Sequence, residues 1–149
     1  ENDFVKTDLN STLEIVKFNL QQEIVENNAL IQVQQLPELR INKSAVSQLF
    51  QNLIGNAIKF KGNQPPVISI SCELQNNEWL FKVADNGVGM DECFQEKAFL
   101  PFQRINNLDR PGTGIGLAIC KKVVRMHKGD IWYESKRGEG TTFNFTLAN

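Results

Sequence analysis

The sequence predicts an α+β fold, with helices gathered on one face of a mixed, mostly antiparallel sheet. Three observations point there. Helical segments alternate with paired strands, the strand pairs are closed by short turns rich in Asn or Gly, and each helix carries one apolar face. No repeat, low-complexity tract or linker interrupts the chain, so residues 1–149 read as one domain.

Within residues 10–26, Leu13, Val16, Leu20 and Ile24 recur at three- and four-residue steps, which predicts a helix capped by Asn10 or Ser11. Asn27-Asn28 turns the chain, residues 29–34 alternate as a strand does, and Pro37 forces a break before a short segment at 38–41. Residues 43–61 predict a second helix, whose broad apolar face comprises Val46, Leu49, Phe50, Leu53, Ile54, Ala57 and Ile58. Strands at 67–74 and 79–85 form a hairpin across Gln75-Asn76-Asn77-Glu78. A loop-rich stretch, 86–113, follows, with a short helix expected near 92–97. The third helix runs from about 114 to 127 and stops at Lys128-Gly129. Strands at 131–135 and 142–147, turned by Arg137-Gly138-Glu139-Gly140, end the chain.

Composition narrows the function classes. A hydrophobic fraction of 41% with 22% charged residues suits a packed core. Lys+Arg 16 against Asp+Glu 17 leaves no basic excess for neutralising nucleic-acid phosphates. No apolar run approaches the ~20 residues that span a bilayer, and the N-terminus lacks the pattern of a secretion signal. Cys72, Cys93 and Cys120 are widely spaced and odd in number, which argues against a disulfide scaffold or a zinc site. The expected setting is cytoplasmic, with no membrane contact by this domain.

Three constellations could carry chemistry. On the second helix, Asn52, Asn56 and Lys59 fall within about 60° of one another at the flank of the apolar face. Carboxamide oxygens suit Mg²⁺ and an ammonium suits phosphate, although a solvated helix edge is the plainer reading of these three alone. Directly after the strand that starts at Trp79 comes Asp85-Asn86-Gly87-Val88-Gly89-Met90. Asp85 is in phase with Trp79, Phe81 and Val83, so its carboxylate faces the buried side and needs a donor, such as the exocyclic amine of a base. Gly87 and Gly89 permit a tight turn and close approach to a flat ligand; a simple Asp-Asn-Gly turn weighs evenly against that. The third is Gly112-Thr113-Gly114-Ile115-Gly116-Leu117, an anion site at a helix start. It fits neither the dinucleotide fingerprint, which needs a strand just before it, nor the P-loop, which needs Gly-Lys-Ser/Thr.

In order, these residues resemble the ATP-binding catalytic domain of sensor histidine kinases, within the gyrase, chaperone, kinase and mismatch-repair (Bergerat-fold) ATPase superfamily. Leu49 to Phe60 resembles the asparagine box, Asp85 to Met90 the first glycine box, Phe99-Leu100-Pro101-Phe102-Gln103-Arg104 the phenylalanine box, and Gly112 to Leu117 the second glycine box. Gly138-Glu139-Gly140-Thr141-Thr142-Phe143 resembles the family's last strand, and the wording is similar to phytochrome-like and PAS-linked kinases. The resemblance implies a five-stranded mixed sheet packed on three helices, with ATP and Mg²⁺ held between the second helix and a lid.

Carried over, it implies that Asn56 ligates the metal, with Asn52 beside the same ion or its waters, and that Lys59 touches phosphate. Asp85 would accept from the adenine amine, with Gly87 and Gly89 near and Thr142 supporting through water. Gly112, Thr113, Gly114, Gly116 and Leu117 would line the lid and phosphate path, Arg104 would stabilise the transferring phosphoryl group, and Phe99 and Phe102 would anchor the lid or simply pack. The lid is expected to be the most mobile segment and to order with nucleotide.

In the hydrolytic relatives a Glu one turn before the metal Asn prepares water for attack. Asn52 stands there, and an amide cannot take that proton, so transfer to an external nucleophile is favoured over hydrolysis. Histidine kinases phosphorylate a His on a separate helical dimerisation domain of the same protein and pass the phosphoryl group to a response regulator. The sole histidine, His127, is expected to cap the third helix and complement its dipole, not to accept phosphate. The chain therefore reads as a fragment without its dimerisation and phosphoacceptor domain. A nucleotide-binding-only domain and an anti-sigma-factor-type serine kinase are the rival readings.

Overall fold

The computed structural model describes residues 3–90, 97–100 and 116–148. Its main feature is a five-stranded sheet of order β2-β4-β5-β7-β6, formed by β2 (Leu30–Val33), β4 (Val67–Gln75), β5 (Glu78–Asp85), β6 (Ile131–Lys136) and β7 (Gly140–Ala148). Among the described residues only β2 and β4 run parallel. Helices α1 (Leu9–Asn19), α3 (Lys43–Lys59) and α4 (Gly116–Met126) cover one face, as expected.

The core lies between these layers. Alternation aims Ile68, Ile70, Phe81, Val83, Phe143, Phe145 and Leu147 inward, and each is buried. Phe50, at the middle of α3, meets Phe81 and Phe145 edge-on, with centroids at 6.1 and 5.5 Å. Leu49, Leu53 and Ile54 complete the buried stripe of α3, while Leu13 and Val16 of α1 and Cys120 and Val124 of α4 flank it.

Turn chemistry closes the hairpins. Asn76 and Asn77 both take positive φ, 49° and 67°, the mirror-image turn that matches the twist of β4 and β5. At the end of α4, Lys128 adopts φ 63° and Gly129 N–H returns to the Val124 carbonyl.

Two features depart from the sequence reading. The expected first helix divides at Leu20 into α1 and a short α2 (Gln21–Glu26), and its cap is Asp8, whose carboxylate accepts from Asn10 N. Asn10 instead ties α1 to Leu36, donating to its carbonyl and accepting from its N–H, both at 3.0 Å. A second, two-stranded sheet pairs β1 (Phe4–Asp8) with β3 (Glu38–Asn42). β1 was not legible, because a five-residue strand with one buried side chain shows no usable alternation and its partner lies some thirty residues away. The short helix expected near 92–97 and Cys93 fall largely or wholly outside the described residues; Lys97–Phe99 forms a single 3-10 turn.

Candidate functional site

β5 ends at Asp85, in phase with Phe81 and Val83, so its half-buried carboxylate faces the helical layer. Both donors that reach it land on one oxygen: Oδ1 accepts from Gly87 N at 2.8 Å and Thr141 N at 3.2 Å. The other oxygen receives no hydrogen bond from any described residue. Burial raises the carboxyl pKa above its ordinary value, and the two N–H groups pull it partly back.

Asp85 stands at the edge of a cavity between α3, α4 and the sheet. Its walls are apolar: Ala57, Phe60, Met90, Leu117 and Phe143, with Asn56, Asp85 and Thr141 as its polar groups. An apolar slot with one acid oxygen awaiting a donor suits a flat heteroaromatic ring carrying an amine.

The loop after Asp85 is clamped by its own chain. Asn86 accepts from Val67 N and donates to the Pro65 carbonyl; Val88 N donates to the Phe60 carbonyl at 3.0 Å. A side chain at Gly87 would strike that Phe60 carbonyl, and one at Gly89, where φ is 79°, would strike the Lys136 carbonyl. The tight turn expected from these glycines is present, and their close neighbour is backbone.

Ser135, which sequence reasoning did not single out, joins this loop to the last hairpin. Its hydroxyl accepts from Met90 N at 2.6 Å and lies 2.9 Å from the Gly140 carbonyl and 2.8 Å from Thr141 Oγ1. Thr141 is the residue opposite Asp85 by register and lines the cavity. Thr142, named from the sequence, pairs with Ala84 and lies in the opposite phase, so the correction is one residue. Counting alternation back from Phe145 and Phe143 would have found Thr141, and from Ile131 and Tyr133 would have found Ser135.

On α3, Asn52, Asn56 and Lys59 share one flank. Asn56 borders both the apolar cavity and a polar groove on the far side of α3, and its carboxamide makes no hydrogen bond to any described residue. Asn52 donates from Nδ2 to the Gly116 carbonyl at 3.3 Å, linking α3 to the start of α4 and committing part of its donor side. Lys59 Nζ lies 5.8 Å from the Phe60 ring centroid. The Asn56 amide oxygen, uncommitted among the described residues, is of a type that could ligate Mg²⁺, and Asn52 lies one helical turn before it.

Leu117 lines the cavity, and Gly116 supplies the carbonyl that Asn52 holds. Arg104, Phe102, Gly112, Thr113 and Gly114 lie outside the described residues. Phe99 packs against Tyr133 and Phe143, with centroids at 6.2 and 6.3 Å, and Lys121 Nζ sits 5.7 Å from its ring.

His127 differs from expectation. It is buried, its Nδ1 lies 2.8 Å from the Val123 carbonyl, and its Nε2 accepts from Asn42 N at 3.1 Å. An acceptor nitrogen requires the neutral ring, and burial lowers its pKa accordingly. The ring does cap α4 at the Val123 carbonyl, as expected, but it is neutral, so it brings no charge to the helix dipole and also bridges α4 to the start of α3.

Residues 41–149 match the histidine kinase-, DNA gyrase B- and HSP90-like ATPase family. The chain belongs to that family. Among its relatives, cyanobacterial phytochrome A of Nostoc sp. is 46% identical over 145 residues, covering 97% of this chain and 19% of that protein. Phytochrome-like protein Cph1 of Synechocystis sp. is 44% identical over 142 residues, covering 95% and 19%. The chain thus spans under a fifth of the length of either. Among solved structures, the catalytic domain of histidine kinase ThkA is similar at a TM-score of 0.82 and 28% identity, covering 97% of this chain and 95% of that one. The fold is that of a histidine kinase catalytic domain, and membership of this ATPase family implies ATP as ligand. Among the described residues no helix is long and apolar enough to cross a membrane.

Proposed function

We propose that this domain binds ATP with Mg²⁺ and donates the γ-phosphoryl group to a histidine on a separate helical dimerisation domain of the same protein, in two-component signalling. The observation that carries the reading is the second oxygen of Asp85, which lacks a donor at the end of an apolar slot. There it would accept from the adenine amine, while Phe60, Leu117 and Phe143 exclude water from the ring.

Bound Mg²⁺ would neutralise phosphate charge, and the Asn56 oxygen would hold it, with Asn52 beside it. Lys59 contributes positive charge on the same flank of α3. Arg104 is proposed to steady the transferring group from the segment outside the described residues. Asn52 can hold but cannot accept a proton from water, which favours transfer over hydrolysis. Histidine kinase ThkA has been solved in complex with response regulator protein TrrA, and its likeness to this chain, at 26% identity, supports a response regulator as the downstream partner.

The test is phosphoryl transfer from labelled ATP. The chain supplied with its histidine-bearing helical domain should yield acid-labile label on that domain, and alone it should hydrolyse ATP slowly. Brisk hydrolysis by the chain alone, or acid-stable and alkali-labile label on a hydroxyl, would replace this reading with an ATPase or a serine kinase.

A further inference from the structure

A polar residue stands in the apolar row of β6. Alternation turns Ile131, Tyr133 and Ser135 toward the helical layer, and the first two are buried in the core. Ser135 sits directly opposite Thr141 in the β6–β7 register. The hairpin that carries both presses on the end of β5: a Cβ at Gly140, where φ is 99°, would strike the Asp85 carbonyl. Thr141 lines the slot, and Ser135 stands behind it.

The protons of this cluster follow from what each group can do. A serine hydroxyl has one proton and two lone pairs. A carbonyl only accepts, so across the 2.9 Å contact with Gly140 the serine proton points at the carbonyl oxygen. A backbone N–H only donates, so Met90 N takes one lone pair at 2.6 Å. With its proton committed, Ser135 accepts in the 2.8 Å contact with Thr141 Oγ1, and the threonine donates. Thr141 then keeps no proton for the slot, and its oxygen offers lone pairs there. Asp85, whose Oδ1 already accepts from Gly87 N and Thr141 N, brings the second acceptor.

Resting on the functional reading above, we infer that Ser135 is a positioning residue for base selection: by taking the Thr141 proton it keeps the end of the slot acceptor-only, which favours a purine with an amino group at position 6 over one with a carbonyl. Adenine presents donors at that edge and a 6-oxo purine presents an acceptor. Two acceptor oxygens facing a carbonyl stay unpaired, which is how a polar site rejects a near-isostere. Ser135 does not touch the base and acts through Thr141.

Removing the serine hydroxyl frees the Thr141 proton, which can then turn into the slot and meet a carbonyl. It does not release the turn after Asp85. Val88 stays tied by its N–H to the Phe60 carbonyl at 3.0 Å and by its carbonyl to Gly138 N at 2.6 Å.

The test is calorimetric titration of the chain and its variants with ATP and with inosine triphosphate, whose base carries a 6-oxo edge, each with Mg²⁺ in excess. The parent should prefer ATP. In Ser135→Ala the ratio of the two affinities should fall roughly 10-fold, the scale of one hydrogen bond, mostly because inosine triphosphate binds more tightly. Ser135→Thr keeps the hydroxyl and should keep the parental ratio. Thr141→Val removes the group through which Ser135 acts, so adding Ser135→Ala to it should shift the ratio no further. A merely structural serine would weaken both nucleotides alike; an unchanged ratio in Ser135→Ala would overturn the inference and leave the functional reading standing. A further fall of the ratio in the double variant would overturn it too. A parent that binds neither nucleotide, or both alike, would remove both.

Discussion

Burial strips water from the Asp85 carboxylate while only one of its oxygens is bonded, and its pKa rises. Between the ordinary value of 3.8 and the raised one, the folded chain holds the proton more than the unfolded chain does. Stability therefore falls as pH rises through that window, and the penalty is fully present above it. A bound amine donor favours the ionised form, so nucleotide affinity should weaken as pH falls through the raised pKa. Asp85→Asn removes the charge penalty and keeps an oxygen for Gly87 and Thr141, but turns an amide toward the amine. A titration should show affinity falling roughly 10- to 100-fold, the value of a charge-assisted hydrogen bond, with a melting temperature no lower than the parent's. Unchanged affinity would show that Asp85 does not read the base. Cys120, buried on α4, illustrates the same desolvation without a ligand: its thiol is pushed up to about 12 and is inert.

Among the elements, α3 is the one on which site and core are built together. Its apolar stripe was legible because seven apolar residues recur at helical spacing, and the amide flank was legible because Asn is an indifferent helix former. What periodicity could not show was where that flank ends. The bond from Asn52 to Gly116 is a tertiary fact. Register was the other blind spot: a one-residue uncertainty in β7 exchanges Thr142 for Thr141 and the far face of the sheet for the cavity. The start of α3 offers a simple check. Asn42 accepts from Ala45 N at 3.0 Å, so Asn42→Ala should cost about 1 kcal/mol in denaturant unfolding. Its effect on nucleotide affinity should be small, because the cap lies some ten residues from Asn52.

Taken as a whole, the molecule is tied together at its far end by His127, where α4, α3 and β1 meet. Its ring bonds the Val123 carbonyl and the Asn42 N–H, and Phe4 stacks at 4.8 Å. Sequence position alone suggested a cationic cap, because the burial that keeps the ring neutral arises from β1, the strand that alternation did not reveal. The ordinary histidine pKa is 6.5 and the folded value is lower, so as pH drops below it the unfolded chain gains its proton first. Stability present above that point is lost on acidification. Melting temperature should fall from about pH 7 to about pH 5, and His127→Gln should flatten that dependence while melting lower at neutral pH. An equal slope in the variant would place the acid sensitivity elsewhere.

The most direct measurement is calorimetric titration of the chain with ATP and with GTP, each with Mg²⁺ in excess. Adenine offers Asp85 an amine donor, whereas guanine presents a carbonyl acceptor at that edge. The account predicts saturable uptake of ATP and much weaker uptake of GTP. Equal heats for the two nucleotides, or none for either, would contradict it.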